Sequence, residues 1–158
     1  MVKSGEIDIA ICNLPIEDPA LEIIQAMDIH DIFVCGEAYR DKLLEPMSLE
    51  ELNHFPLILL EPKSNSRRYV ERYFLSKGVT IKPEIELGSH DLLLEFSRIN
   101  LGISCVIKEF SQEYLKKEIL FEVSLEESIP KRSIGICFLK SVSLSLTSAK
   151  FVQILKNV

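Results

Sequence analysis

The chemistry this sequence can offer is concentrated in serine-bearing segments that precede apolar, helix-like runs. Ser64-Asn65-Ser66-Arg67 is the fullest of them. A helix start leaves backbone N–H groups without partners and carries about half a unit of positive partial charge. Hydroxyls and an amide gathered there make an anion site, and Arg67 would add a bidentate carboxylate contact. The plainer alternative is that Ser64 or Ser66 caps its own helix and Arg67 is solvated. Ser89-His90-Asp91 contains the residue types of a nucleophile triad, but adjacent residues cannot converge as a triad requires. A capped helix start is the plain reading there. The functional reading is ligand contact by Ser89 or His90, with His90 giving binding a pH dependence between about 5 and 8. In Cys12-Asn13-Leu14-Pro15, Asn13 can donate and accept hydrogen bonds or simply shape a turn. Gly102-Ile103-Ser104 reads as a positive-φ turn at Gly102 followed by a serine that faces either a ligand or its strand neighbours.

Metal and covalent chemistry find less support. His30, His54 and His90 are dispersed, and Cys12, Cys35, Cys105 and Cys137 fit no zinc-ligand spacing. Each cysteine lies in or beside an apolar run and reads as a buried free thiol. A redox role for Cys12 or Cys105 would need thiolate character and access, and nothing in the sequence indicates either. No cofactor is implied, and no convincing acid–base pair or nucleophile of an enzyme emerges.

These residues must be positioned by alternating strands and helices. Gly5 ends a helix-like turn, and Ile7-Asp8-Ile9-Ala10-Ile11 reads as a strand buried on both faces, as in a parallel sheet. Leu21–Gln25 is a strand or irregular segment, 31–35 a strand, and 38–44 a short helix or turn. Ser48 with Glu51 forms a capping box for a helix over Leu49–Leu52. Strands are expected at 56–60, 84–87, 103–107, 119–123 and 133–139. Helices are expected at 67–77, 91–99, 109–117 and 148–157, the last burying Phe151, Ile154 and Leu155. This alternation predicts an α/β fold with mainly parallel sheets, whose ligands gather at the carboxyl edge of the strands.

The 158 residues are 47% hydrophobic and 27% charged, with a formal net charge of −6. That composition is ordinary for a globular protein and excludes disordered, collagen-like and disulfide-framework classes. The acidic balance lacks the footprint of a free-standing duplex binder. No apolar stretch reaches the roughly 20 residues a membrane span needs, so a cytoplasmic protein without a membrane partner is expected.

The order of the segments resembles the effector-binding domain of LysR-type transcriptional regulators, itself similar to type 2 periplasmic solute-binding proteins. Lys3 to Ile11 looks like the family's Gly-x-hydrophobic-Asp-hydrophobic-Ala strand. Ser64-Asn65-Ser66-Arg67 looks like its Ser-Arg helix start. Leu101-Gly102-Ile103-Ser104 looks like its Gly-x-Gly-Ile-Ala turn, with Asn100 where a glycine is usual. Leu146 to Phe151 looks like its C-terminal helix. The resemblance implies two Rossmann-like lobes joined by two crossovers, mapped to about 31–35 and 106–108. Lobe two would then be 35–107, and lobe one 1–34 plus 108–158. It further implies a lobe one lacking its first strand–helix–strand, a winged helix-turn-helix outside this chain as the only DNA contact, and a homodimer or tetramer in the full-length regulator. A small anionic effector would sit between the lobes, contacted by Ser64, Asn65, Ser66, Arg67, Ser89 and His90 from lobe two and by Asn13 from lobe one, with Gly102 and Ser104 nearby. A transport solute-binding protein is the alternative, and an enzyme on the same fold a more distant one.

Overall fold

A computed structural model describes residues 2, 4–43 and 45–155. The chain divides into two compact units, residues 1–29 with 131–158 and residues 30–130. The divisions fall at 29/30 and 130/131 rather than at the expected 34/35 and 107/108. The reason is hydrogen bonding: Asp31–Cys35 and Phe121–Glu122 are both laddered into the sheet of the larger unit.

The smaller unit is an antiparallel sheet of β1 (Ile9–Asn13), β8 (Arg132–Leu139) and β2 (Leu21–Ile29), in the order β1-β8-β2. β8 is central and paired on both sides, so Ile136 and Cys137 are buried. β1 is an edge strand with one outward face, and Ile11 is 61% exposed. The expectation of a doubly buried parallel strand therefore fails there. Gly5 does take a positive φ of 73°. Helix α6 (Leu146–Leu155) presents Val152 inward and, against expectation, leaves Phe151 and Ile154 exposed, with Leu155 half-buried. Ser145 Oγ accepts the Ser148 N–H as a cap, and the hydroxyls of both serines donate to Asp8. Ser148 and Val152 are four residues apart and share a face, so this anchor turns Val152 toward the sheet. The part of the predicted helix beyond 155 lies outside the described residues.

The larger unit holds a five-stranded sheet ordered β5-β4-β6-β3-β7. β4 (Leu57–Leu60), β5 (Ile85–Leu87) and β6 (Ile103–Ile107) pair in parallel, while β3 (Asp31–Cys35) pairs antiparallel with β6 on one side and with β7 (Phe121–Glu122) on the other. Parallel pairing thus holds for three strands only. β4 reads as a continuous apolar run because both its faces are covered. Leu57 and Leu59 join Phe33, Val70 and Phe74 on one side. Ile58 joins Val34, Leu93, Val106 and Leu120 on the other. The covering helices are α1 (Glu37–Arg40), α2 (Leu49–Leu52), α3 (Asn65–Ser76), α4 (His90–Arg98) and α5 (Gln112–Lys116). The Ser48–Glu51 capping box at α2 forms as the spacing predicts. The single helix expected over 109–117 is instead a 3-10 turn at Lys108–Phe110 followed by α5. Ser111 sits between them, fully buried, and donates its hydroxyl to the Ile107 carbonyl, a local bond that competes with helix continuation.

Candidate effector site at the carboxyl edge of the five-stranded sheet

Because β4 and β5 are parallel, the helices that follow them start at the same edge of the sheet. Ser64 is the residue before α3 and Ser89 the residue before α4. Both have extended backbones, and neither side chain makes a cap hydrogen bond to its own helix. The carboxyl end of β6 and the amino end of β3 meet at this edge too, where Asp31 pairs with Ile107. Asn65 is exposed and its side-chain oxygen accepts from Arg68 at 2.5 Å; Ser66 is half-buried.

Arg67 is not solvated. It is 5% exposed, and its Nε donates to Glu71 at 2.8 Å while Nη1 donates to the Leu60 carbonyl and to Glu86. The guanidinium ties α3 to the ends of β4 and β5 and so fixes where the helix begins. His90 is similarly employed. Its Nε2 accepts the Ile107 backbone N–H at 3.1 Å, which places the ring proton on Nδ1. Burial pushes its pKa below the ordinary histidine value, against the opposing pull of Asp91 and Asp31. An imidazole held neutral cannot serve as a nucleophile's partner in the Ser89-His90-Asp91 run while its acceptor nitrogen is occupied.

Three expected residues lie elsewhere. Gly102 precedes β6 and therefore stands at the opposite, amino edge. Its φ is not positive; the left-handed residue of that turn is Asn100, at φ 62°. Gly102 is needed for space, since a Cβ there would lie 2.3 Å from the Pro56 carbonyl oxygen. Ser104 is fully buried, accepting from Ser97 Oγ at 2.7 Å and donating to the Leu93 carbonyl at 2.8 Å. Asn13 belongs to the smaller unit, where its side-chain oxygen accepts a hydrogen bond from buried Arg132.

Other residues reach the carboxyl edge without having been singled out in sequence. A cavity of about 480 Å³ is lined by His30, Asp31, Lys108, Glu122, Ser124 and Ser128 over an apolar floor that includes Phe33 and Ile129. Glu109 grips His30 twice, accepting the backbone N–H at 2.9 Å and meeting Nδ1 at 2.7 Å. Burial opposes the charged form of Glu109, but these bonds outweigh it and hold the carboxyl below its usual range. The far wall is pinned by α3, whose Tyr69 hydroxyl donates to the Pro130 carbonyl and whose Tyr73 hydroxyl reaches the carbonyls of 127 and 128. The charged start of β3 and the Lys-Glu pair closing β6 were the available signals.

Cys35, Cys105 and Cys137 are buried and Cys12 is half-buried, and none of the four forms a disulfide. Burial, with the neighbouring Cys137 adding to it, pushes the Cys12 thiol up to about 11, and burial does the same at Cys35. Among the described residues no cluster of three or more metal-ligating side chains occurs, and no helix is long and apolar enough to cross a membrane.

A two-unit α/β chain with these mixed sheets has the fold class of periplasmic-binding-protein-like domains. The chain belongs to the LysR substrate binding domain family, whose model matches residues 1–158. It is 32% identical over 113 residues to the HTH-type transcriptional regulator YeiE of Escherichia coli strain K12, a match covering 70% of this chain and 39% of that protein. The chain thus spans about two fifths of the curated relatives it matches. Its fold is that of solved LysR regulatory domains. The CcmR regulatory domain of Synechocystis PCC6803, in complex with 2-PG, superposes with a TM-score of 0.82 at 20% identity, covering 99% of this chain and 75% of that one. The effector-binding domain of QuiR, in complex with shikimate, superposes with a TM-score of 0.78 at 19% identity, covering 99% and 73%.

Proposed function

We propose that this chain is the effector-sensing part of a bacterial LysR-type transcriptional regulator, and that it binds a small anionic molecule at the carboxyl edge of the five-stranded sheet. The observation that carries this reading is that two helix starts without side-chain caps, at Ser64 and Ser89, open on the sheet edge that also holds the 480 Å³ cavity, whose walls are other residues. That volume suits a small metabolite. Ser64, Asn65, Ser66 and Ser89 supply hydroxyl, amide and backbone donors to the anion, while Arg67 and His90 act as positioning residues that hold the two helices in place. The ligand-bound CcmR and QuiR domains support an effector role for the fold. The domain is a cytoplasmic sensor and not a catalyst. In the full-length regulator, a homodimer or tetramer, DNA contact belongs to another domain, and effector binding shifts the population of subunit arrangements.

Calorimetry and thermal shift against a panel of small carboxylates, amino acids and inorganic anions test this. A true effector at about a hundredfold its Kd raises Tm by roughly 5–10 °C and changes the affinity of the full-length regulator for DNA. Indifference of both readouts to every compound overturns the proposal.

A further inference from the structure

The β7 edge of the five-stranded sheet carries a second cavity, of about 530 Å³. Its floor is apolar, made by Cys35, Leu43, Leu115, Leu120 and Phe121. Its rim is charged. Lys108 and Glu122 neutralise each other in a 2.7 Å ion pair, leaving Arg40 and Lys116 against Glu118. Arg40 lies 4.4 Å from the Phe121 ring centre, and its ion pair with Glu37 is long at 3.7 Å and exposed. Lys116 makes no ion pair among the described residues. The rim is thus net positive in a chain whose net charge is −6. Glu118 holds its backbone in the left-handed region, at φ 53°, at the close of α5.

We infer that this cavity is a second small-molecule site, distinct from the effector site proposed above, and that it takes a monocarboxylate with an apolar body. The apolar part covers the Leu115–Phe121 floor, and the carboxylate is held between Arg40 and Lys116. A guanidinium stacked on an aromatic face keeps its edge donors free for such a contact. Glu118 repels a second negative charge, which selects one carboxylate over two. The inference does not depend on the effector reading. The two cavities share only a wall, formed by Lys108, Glu122 and Ser124, so residues unique to each distinguish them.

The test uses the whole chain, labelled for amide NMR and titrated with benzoate, with phthalate as the dianion and benzyl alcohol as the neutral analogue. The expected result is saturable benzoate-induced shifts at Leu115, Lys116, Glu118 and Arg40, with phthalate and benzyl alcohol each binding about tenfold more weakly. Lys116→Gln, at an exposed position with no fold contact to lose, weakens benzoate about tenfold, and Arg40→Gln does so by at least as much. Shifts confined to Ser128 and Ile129, benzyl alcohol binding as well as benzoate, or unaltered affinity in Lys116→Gln would each overturn the proposal.

Discussion

The two edges of the five-stranded sheet are built from the same residue types to opposite ends. At the amino edge the buried serines are satisfied internally. Ser97 donates to Ser104, Ser104 donates to the Leu93 carbonyl, and Gly36 and Gly102 let backbone approach backbone. At the carboxyl edge Ser64 and Ser89 leave their helix starts uncapped by side chains, and a Cβ at Gly88 would meet nothing within 4 Å. The difference teaches that a serine or glycine beside a strand is a binding candidate only at the edge where the following helix opens. At the other edge it is packing.

Substitutions sharpen this contrast, the largest effects coming from the amino edge. Gly102→Ala forces a Cβ against the Pro56 carbonyl and lowers unfolding free energy by roughly 2–3 kcal/mol in urea titrations. Gly88→Ala, in open space, stays within about 0.5 kcal/mol of the parent. A comparable cost for both would erase the distinction between the edges. Ser104→Ala breaks the buried hydroxyl chain and costs about 1–2 kcal/mol, whereas Ser89→Ala has no cap bond to lose and leaves stability nearly unchanged while weakening effector binding.

The smallest effect is His90's pH response. Its folded pKa lies below the unfolded value, so the unfolded chain takes up the proton more readily. The stability from the neutral imidazole is therefore fully present above about pH 6.5 and declines as pH falls through the lower folded pKa. Thermal melts from pH 7.5 to pH 5 are expected to show this loss, and His90→Asn to flatten it. An equal slope in both proteins would remove His90 from its positioning role.

Much of this arrangement is legible in sequence where the signal is local. The Ser48–Glu51 capping box depends on four consecutive residues, and the apolar runs at 31–35, 57–60 and 103–107 stand out because both faces of those strands are covered. Strand direction is not local, which is why the strand around Ile9–Ile11 reads as parallel in sequence and is antiparallel in the structure. The need for glycine at 102 is hidden for the same reason: the atom that demands it belongs to Pro56, in another segment. The cavity is not legible in the sequence because its walls come from distant stretches, His30, Lys108 and Glu122 among them. At α6 the sequence offers two apolar faces, and only the Asp8 anchor, far away in the chain, chooses between them.

An effector seated at the carboxyl edge is detected by mapping amide shifts in the whole chain with a compound that raises its Tm. The largest perturbations are expected at Ser64–Ser66, Ser89–His90 and the cavity residues His30, Asp31 and Ser128, with Gly102 and Ser104 undisturbed. Perturbations centred on Gly102, Ser104 and Ser97, with the helix starts silent, would contradict a carboxyl-edge seat.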